Sequence, residues 1–461
     1  MNMPKTTSKN RTVPSILLAY PPESLAQGWG GNPFPTTQLC LASFLESRGM
    51  KSEIYQEYPF RISDILRLIK RNRHGAVGLT CDCSNLQSCA HLATAIKENC
   101  GPVAVIVGGV HATLYHKDIL EHFPQFDVIV RGEGEETLAE IMPRLGHLDT
   151  SVPGITFRKK NTLGISQDRP HFIDCDALPP LSYNLLKKTG IKNFDRLDSW
   201  WPVPSARGCS FNCAFCASGR FWKRCYRRKS LPCLIDEIRR CQHDYHVDRF
   251  FFDELAFTFD RNRIRMFCEE LQRHKLNIEW CCDTRIDCVD EELLNMVHRA
   301  GCRRIHFGVE SFSNRVLGLM NKKYDSDRAL ALLNVAHRIG IRVICNVILG
   351  YPGETDETLR DTLSRINRLD KGIFCNPIIF HMYTGTDIYD LAKKRNLVND
   401  AQWLHGYTIR DFVRQYYPPS FLEKLVTVRK AIQHKFKKYS FRKSQSGGLT
   451  DELETRPIAY P

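Results

Sequence analysis

Short apolar runs alternate with helix-length amphipathic stretches along most of this chain, in two successive arrays. An apolar run of four to eight residues followed by a helical pattern is typical of the strand–helix units that build parallel sheets. At about 150 residues per domain, a chain of 461 residues has room for two or three such domains. The alternation therefore predicts an α/β protein with two sheets.

The first array covers residues 14–150 and predicts a doubly wound parallel sheet. Its strand candidates are Ile16–Tyr20, Ser52–Tyr55, Ala76–Thr80, Val103–Val107 and Asp127–Val130, and its helices are expected near 36–48, 62–71, 86–98, 117–122 and 135–144. In such a sheet, ligands bind outside the carboxyl ends of the strands, where glycines let a bulky ligand approach the backbone. The candidate ligand-binding residues at these ends are Thr80, Gly108, Gly109, His111, Gly132 and Glu133.

The second array, residues 198–405, predicts a partial (βα)6 barrel with its active site at the carboxyl ends of the strands. The strand candidates are Val203–Ala206, Arg249–Phe252, Ile278–Cys282, Arg304–Gly308, Val343–Leu349 and Ile378–Tyr383. Helices are expected at 231–245, 261–273, 291–300, 329–339 and 357–369. Together with the first array, this predicts a Rossmann-like sheet followed by a barrel.

Three further segments flank the two arrays. Residues 1–13 form a polar tail, and the proline-containing stretch 151–197 is interpreted as a linker or a small hairpin. Residues 406–461 predict a short helical C-terminal extension that is rich in Lys and Arg and ends in a loose tail. The apolar positions of this helix, Phe421, Leu425, Val428, Ile432 and Phe436, favour docking onto the protein over binding a partner.

The charge and cysteine content of the chain limit the kinds of molecule that it is expected to bind. The balance of 65 Lys and Arg against 51 Asp and Glu gives a net charge of +14, which attracts nucleic acid, acidic lipid or an anionic substrate. Nucleic acid is disfavoured because the basic residues are not interleaved with aromatic residues and no appended RNA-binding domain is evident. No apolar run approaches the roughly 20 residues that span a bilayer, and no signal peptide is evident, so we expect a cytoplasmic protein. The odd count of 19 cysteines argues against a disulfide framework.

Three of those cysteines form the sharpest motif in the chain. Cys209, Cys213 and Cys216 lie within eight residues, directly after a strand candidate. Thiolates are soft ligands that suit iron–sulfur clusters or zinc. A tetrahedral zinc site or an ordinary cluster needs a fourth protein ligand, and no matching second pair is apparent in the sequence.

The spacing of this triplet, with Phe215 just before the last cysteine, resembles the signature of the radical S-adenosylmethionine (SAM) superfamily. The resemblance implies a [4Fe-4S] cluster on Cys209, Cys213 and Cys216, with its open iron bound by SAM. It also implies reductive cleavage of SAM to methionine and a 5′-deoxyadenosyl radical. Zinc at the triplet is the alternative.

Other strand ends resemble further parts of the same family pattern. The resemblance implies that Asp253 and Glu254 lie near the SAM amino group and that Arg285 pairs with the methionyl carboxylate. It also implies that Glu310 contacts the ribose, that the turn containing Gly350 lies against the adenine, and that Phe215 binds SAM. Helix caps and surface ion pairs are the alternative explanation for each residue taken alone.

Three phrases of the first array, Leu17–Pro22, Val107–Ala112 and Val130–Glu135, resemble the cobalamin-binding branch of this superfamily. The resemblance covers roughly residues 14–400 and implies that cobalamin is a cofactor. The Asp-x-His-x-x-Gly loop that coordinates cobalt in methionine-synthase-type proteins is absent, so His111 is assigned to a helix start or a contact with the nucleotide tail. A domain that has lost its cofactor is the alternative.

The resulting hypothesis is a cobalamin-dependent radical SAM enzyme that methylates an unactivated carbon or phosphorus centre of a small-molecule metabolite. A low-potential electron donor such as flavodoxin or ferredoxin is the expected partner. Two alternatives remain open: a radical SAM oxidative cyclase or rearrangement enzyme acting on a tetrapyrrole-like substrate, and a cobalamin or cluster sensor without turnover.

Overall fold

The computed structural model describes residues 13–22, 35–57, 59–160, 162–182, 184–185, 200–406, 411 and 415–436. These residues form two large sheets flanked by helices, as the sequence predicts, and one short two-stranded sheet. Residues 1–12 of the polar tail and the expected loose tail from Ser444 lie outside the described residues. None of the described helices has the length and apolarity that a membrane span requires.

The N-terminal sheet has seven strands in the order β2-β1-β3-β4-β5-β6-β7. Strands β1 to β5 are parallel, and the order reverses at β1, which pairs with both β2 and β3. The strands are β1 Ile16–Ala19, β2 Ser52–Tyr55, β3 Ala76–Thr80, β4 Ala104–Gly108, β5 Val128–Val130, β6 Ile155–Lys159 and β7 Thr162–Ile165. The helices are α1 Thr36–Ser47, α2 Ile62–Asn72, α3 Leu86–Asn99, α4 Val110–Leu114, α5 His116–His122 and α6 Glu135–Ile141.

Strands β6 and β7 form an antiparallel hairpin that extends this sheet through β5. They lie in the stretch 151–197, which is interpreted from the sequence as either a linker or a small hairpin. Arg131, just after β5, fixes the hairpin because its guanidinium donates to the carbonyl oxygens of Ile155 and Ser166, both at 2.6 Å. This part of the stretch is therefore structurally continuous with the first sheet.

The second sheet has six parallel strands in the order β15-β14-β13-β12-β11-β8. This sequential order, with helices between successive strands, is that of a partial barrel. The strands are β8 Trp201–Val203, β11 Arg249–Phe252, β12 Glu279–Arg285, β13 Cys302–Glu310, β14 Arg342–Leu349 and β15 Phe374–Ile379. A separate antiparallel pair consists of β9 Ala206–Arg207 and β10 Arg227–Arg228. The parallel α/β architecture predicted from the sequence is confirmed.

Ten helices of the second unit and its extension are described. They are α7 Ser218–Phe221, α8 Leu231–Tyr245, α9 Arg261–Arg273, α10 Glu291–Arg299, α11 Asn314–Leu319, α12 Ser326–Ile339, α13 Asp356–Asn367, α14 Asp387–Lys394, α15 Asp400–Leu404 and α16 Pro419–Phe436. Short 3-10 turns occur at Met142–Arg144, Cys175–Ala177 and Ile286–Cys288.

The last strand of the barrel differs from its prediction. It covers Phe374–Ile379, whereas the sequence predicts Ile378–Tyr383. Pro377 pairs with Val347 inside this strand, and proline is tolerated there because β15 is an edge of the sheet. The apolar residues after Ile379 continue the chain beyond the strand, so hydrophobicity alone shifted the prediction by four residues.

Aromatic packing forms the barrel core between the sheet and its outer helices. Phe252 and Phe257 stack at 4.8 Å between ring centroids, and Phe267 and Trp280 pack edge-on against Phe252. Helix α16 covers β15 and buries Leu425, Ile432 and Phe436, with Phe421 and Val428 partly buried beside them. The predicted docking of this helix onto the protein is therefore observed.

Candidate functional site

The cysteine triplet lies in a loop closed at its base by the β9–β10 pair. Gly208, directly before Cys209, adopts φ +88°, and a Cβ atom there would lie 1.8 Å from the carbonyl oxygen of Cys225. Only glycine fits this close approach, because any side chain would overlap the facing backbone. The tight crossing places all three cysteines on one loop at the carboxyl side of β8.

Two helices hold the middle of this loop. The Ala214 amide donates to the Met320 carbonyl at 3.1 Å, and the Ile388 amide donates to the Ala214 carbonyl at 3.0 Å. Met320 follows α11 and Ile388 begins α14, neither of which was predicted. The loop backbone is therefore fixed on both sides by the barrel.

The thiols of Cys209, Cys213 and Cys216 are all half-buried and free. Burial raises the pKa of Cys213, while the nearby cations Lys322 and Arg285 lower it and so favour the thiolate that binds iron. No group of three described His, Cys, Asp or Glu side chains is close enough to hold one metal ion. Three thiols that each bind a different iron need not meet at one ion, so the donor set fits a cluster.

Arg285 ends β12 beside the cysteine loop. Its Nη1 atom donates to the Cys213 Sγ atom at 3.0 Å, and its Nε and Nη2 atoms donate to Asp287 at 2.9 and 2.7 Å. The guanidinium also lies 3.8 Å from the centroid of the Phe211 ring. Burial lowers the pKa of Arg285, but the hydrogen bonds and charge of Asp287 raise it by more, so the net shift is upward. Arg285 therefore carries a fixed positive charge next to the thiols.

Glu310 ends β13 in a backbone conformation that is unusual for its residue type. Its φ is +64°, in the left-handed region that normally costs a non-glycine residue energy. Lys322 holds the side chain, because its Nζ atom lies 3.2 Å from Glu310 Oε1 and 3.3 Å from the Gly308 carbonyl. The same ammonium group lies 5.8 Å from the ring centroid of Phe215 and so links Glu310 to the cysteine loop.

Asp253 and Glu254 have separate environments although they are adjacent. Glu254 is buried and accepts hydrogen bonds from Ser205 Oγ at 2.6 Å and Tyr226 Oη at 3.0 Å, and burial raises its pKa. Burial and the negative charge of Asp283 raise the Asp253 pKa to about 6. Glu254 therefore joins two segments of the wall of the site, whereas Asp253 lies beside Asp283.

Gly350 lies in the turn after β14 with φ +76°. Its amide donates to the Glu354 carboxylate, and a Cβ atom would lie 2.5 Å from Leu425 of α16. Burial raises the Glu354 pKa to about 7, against the lowering effect of the Gly350 hydrogen bond. The predicted adenine turn is therefore packed beneath the C-terminal helix. Phe215 packs edge-on against Tyr351 of the same turn at 6.5 Å.

The predicted cobalamin residues lie at the carboxyl edge of the first sheet. Thr80 accepts a hydrogen bond from Gln38 Nε2 at 2.9 Å. Gly109 has φ +107° and passes so close to the Cys81 carbonyl that a Cβ atom would lie 2.5 Å from it. Gly132 has φ +74°, and no atom lies within 4 Å of its Cβ position. Gly132 therefore leaves open space at this edge, whereas Gly108 and Gly109 pack against the backbone of Val130 and Cys81.

Glu133, at the same edge, forms ion pairs with two arginines of the second unit. Its carboxylate accepts from Arg207 Nη1 at 2.8 Å, from Arg227 Nη2 at 2.9 Å and from the Ile173 amide at 2.9 Å. Arg207 also pairs with Glu135, and the side chains of Glu133 and Glu135 are only 6% and 5% exposed. Because Arg207 immediately precedes Gly208, these ion pairs join the edge of the first sheet directly to the cysteine loop.

His111 provides a second connection between the two units. Its Nδ1 atom lies 2.7 Å from Thr384 Oγ1 in the segment after β15. Burial lowers the pKa of His111 to about 4, so the imidazole is neutral at physiological pH. The structure thus places His111 at the start of α4, one of the two roles expected, and in contact with the barrel.

Sequence reasoning missed the residues that connect the units. Arg207, Arg227, Lys322 and Thr384 belong to no motif, and their partners lie 12 to 273 positions away in the chain. Hydrophobic periodicity reports only on neighbouring residues, so it cannot predict such distant pairs. The sequence offered one signal, the two glutamates in Val130–Glu135. If they were known to be buried, arginine partners would be expected.

Two family models match this chain. The radical SAM superfamily model matches residues 203–366 and the B12-binding domain model matches residues 31–142. The first implies a [4Fe-4S] cluster and SAM, and the second implies cobalamin. The matched segments coincide with the second sheet and the first sheet, respectively.

Among curated relatives, the chain is 28% identical over 405 residues to an uncharacterised methyltransferase of Pyrococcus horikoshii, with 86% of this chain and 87% of that protein covered. It is 30% identical over 267 residues to the anaerobic magnesium-protoporphyrin IX monomethyl ester cyclase of Cereibacter sphaeroides, covering 56% of this chain and 43% of that protein.

A solved structure resembles the whole arrangement. It is the radical SAM methyltransferase TsrM from Kitasatospora setae with cobalamin and a [4Fe-4S] cluster bound. The match has a TM-score of 0.65 at 17% identity and covers 84% of this chain and 76% of that one. The similarity establishes the shared two-unit fold. The chain is an enzyme of the radical SAM superfamily and belongs to the branch that carries an N-terminal B12-binding domain.

Proposed function

We propose that this chain is a cobalamin-dependent radical SAM methyltransferase that modifies an unactivated carbon or phosphorus centre of a small-molecule metabolite. Cys209, Cys213 and Cys216 would hold the [4Fe-4S] cluster. When bound, the cluster supplies the electron that cleaves SAM and cobalamin carries a methyl group. A low-potential protein such as flavodoxin or ferredoxin would provide that electron.

The remaining residues of the site bind and orient SAM in this proposal. Asp253 would face the amino group, and Arg285, whose fork is held by Asp287, would attract the methionyl carboxylate by its positive charge beside Cys213. Glu310, fixed by Lys322, would accept from the ribose hydroxyls. The turn at Gly350, together with Phe215, would enclose the adenine, and α16 keeps water from the outer side of that turn.

The observation that carries the proposal is the set of ion pairs from Arg207 to Glu133 and Glu135. Arg207 lies two residues before Cys209, and both glutamates follow the ligand-binding edge of the first sheet. A rigid connection between the two edges supports a substrate position between cobalamin and SAM. Radical and methyl transfer both depend on such fixed contact geometry.

The direct test is the fate of a labelled methyl group. Full-length protein, reconstituted without oxygen and supplied with cobalamin, dithionite and methyl-labelled SAM, is incubated with a metabolite extract. We expect S-adenosylhomocysteine, 5′-deoxyadenosine and one labelled metabolite by mass spectrometry, and none of them with Cys213→Ala. Turnover of a metabolite without label transfer would contradict methylation.

An oxidative cyclase is the second candidate, because the chain is 30% identical over 267 residues to an anaerobic cyclase of that type. A cyclase would convert a tetrapyrrole-like substrate and form 5′-deoxyadenosine and labelled methionine, while no methyl label enters the product. A sensor without turnover would yield neither product. A cytoplasmic location is proposed because all 19 cysteines are free thiols, as a reducing compartment maintains them.

A further inference from the structure

A surface groove lies between helices α11 and α14, on the outer side of the turn that carries Gly350. Its volume is about 340 Å³, and Tyr351, Pro352 and Met382 are among the residues that line it. Three leucines along it are unusually exposed for their type: Leu319 at 47%, Leu391 at 41% and Leu397 at 40%. Clustered exposed apolar side chains of this kind mark interaction sites.

This groove borders the back of the cysteine loop. The helices that enclose it are the two that hold Ala214, through Met320 at 3.1 Å and Ile388 at 3.0 Å. Ala214 is covalently bonded to Cys213. Tyr351 lines the groove and also packs against Phe215, the neighbour of Cys216. A protein seated here would therefore be separated from the thiols by little more than one layer of the loop.

The charged residues of the groove favour an acidic partner. Arg315 lies on α11 and Arg395 directly follows α14, and both are exposed and line the groove. Neither guanidinium forms an ion pair with any residue that the structure describes. The acidic Asp390 of α14 is already paired with Arg220. Among the described residues, the groove thus presents two arginines without an ion-pair partner around an apolar floor, and Asp387 is the acidic group that acts on its Tyr351.

We propose that this groove is the docking surface of a small acidic one-electron carrier protein, an inference that rests on the proposed function. The reduced carrier loses one electron and the cluster gains it, passing from its 2+ to its 1+ state, with no proton transferred. Electron transfer weakens steeply with distance, and this face lies against the elements that hold the cysteine loop. Opposite charges would steer the encounter, and the leucines would supply the contact in a small transient interface.

The test compares two reductants on the same variants. Arg315→Glu/Arg395→Glu reverses the groove charges, and Leu391→Asp removes the apolar contact without a change of buried residues. Arg265→Glu/Arg299→Glu, on the exposed surface of α9 and α10, is the control for total charge. Purified flavodoxin is the protein carrier, and dithionite is the small reductant that needs no docking surface.

The first readout is binding of flavodoxin to the iron–sulfur holoenzyme by biolayer interferometry at low and high salt. We expect both groove variants to bind about tenfold or more weakly, a change of about 1.4 kcal/mol, and the control to bind like the wild type. The second readout is the rate of cluster bleaching by reduced flavodoxin in a stopped-flow instrument. It should fall in the groove variants, while dithionite reduces every variant at the wild-type rate.

Three results would overturn the docking surface. If both groove variants bind flavodoxin with the wild-type affinity, the groove is not the docking surface. Equal loss of SAM cleavage with dithionite would mean that the groove belongs to the SAM site. A wild-type dimer that the groove variants dissociate would make a second copy the occupant. If the wild type forms no SAM-derived product with dithionite, the proposed function fails, while the binding readout still decides the surface.

Discussion

The Nη1 atom of Arg207 lies 2.8 Å from the Oε1 atom of Glu133, across the boundary between the B12-binding and radical SAM units. Both side chains are almost fully buried, and the arginine lies two residues before the first cysteine of the cluster loop. The position of the loop relative to the first sheet is therefore tied to an ion pair that tolerates little movement. This relationship makes the interface itself testable.

We predict that Arg207→Ala lowers the free energy of unfolding by about 3–5 kcal/mol, because Glu133 and Glu135 lose a buried cation. Urea denaturation of the apoprotein, followed by circular dichroism, measures the change. Arg144→Ala, at an exposed position of the first unit, is the matched control and should alter stability by less than about 0.5 kcal/mol. A loss below about 1 kcal/mol in Arg207→Ala would show that the pair does not join the units.

Gly208→Ala should disrupt the cysteine loop while leaving every thiol in the sequence. A Cβ atom at this position would lie 1.8 Å from the Cys225 carbonyl, and the backbone has φ +88°. We expect reconstituted Gly208→Ala to hold much less iron and sulfide per chain than the wild type. Gly219→Ala in helix α7, just after the cysteine loop, is the control, since the nearest backbone contact of its Cβ position is an ordinary 3.4 Å. Wild-type iron content in Gly208→Ala would disprove this explanation of the loop.

The raised pKa of Asp253 should make the free energy of unfolding depend on pH. Its pKa is raised from 3.8 to about 6 in the folded chain, by burial first and then by Asp283. As pH rises from 4 to 6, the unfolded carboxyl releases its proton while the folded one retains it, so the folded state loses stability over that window. We expect Asp253→Asn to remove up to about 2–3 kcal/mol of that loss at pH 7.

Urea titrations of wild type and Asp253→Asn at pH 4, 5, 6 and 7 measure the effect. The difference in unfolding free energy between the two proteins should grow with pH and level off above pH 6. His111, whose pKa is lowered to about 4, changes stability in the opposite direction, but it is common to both proteins and cancels. A difference independent of pH would contradict the raised pKa.

Lys322 should be a strong positioning residue, because its side chain is 2% exposed and holds the strained Glu310. We predict that Lys322→Met destabilises the apoprotein by about 3–5 kcal/mol through the unpaired buried carboxylate. The exposed neighbour Lys323→Met should change stability by less than about 0.5 kcal/mol. If both variants unfold like the wild type, Lys322 does not hold Glu310. SAM binding to the cluster-loaded variant, measured by calorimetry, should also weaken.

Local patterns in the sequence predicted both sheets, because apolar strands and amphipathic helices carry their own periodicity. The motif residues were also predictable, since Cys209, Cys213 and Cys216 occur close together in the chain. The last strand was predicted four residues too late, because the apolar residues after Ile379 resemble a strand while the observed strand contains Pro377 at a sheet edge. The short helix α11 was missed because six residues contain too little of a helical repeat to recognise.

Contacts between distant segments could not be predicted in this way. Glu133 was expected to contact cobalamin, and the structure places it against Arg207 and Arg227, which are 74 and 94 positions away. Burial at the interface makes a carboxylate require cations, and the sequence does not reveal which segments meet there. The same applies to His111 and Thr384, which are separated by 273 positions.

The most direct test of the account is electron paramagnetic resonance of the anaerobically reconstituted and reduced protein, before and after addition of SAM, with iron, sulfide and zinc analysed in the same sample. The account predicts a [4Fe-4S] signal that shifts when SAM binds the open iron and that is absent from Cys213→Ala. Cys288→Ala, a half-buried cysteine outside the triplet, should retain the shifting signal. Zinc in place of iron, or a cluster signal that SAM leaves unchanged, would contradict the account.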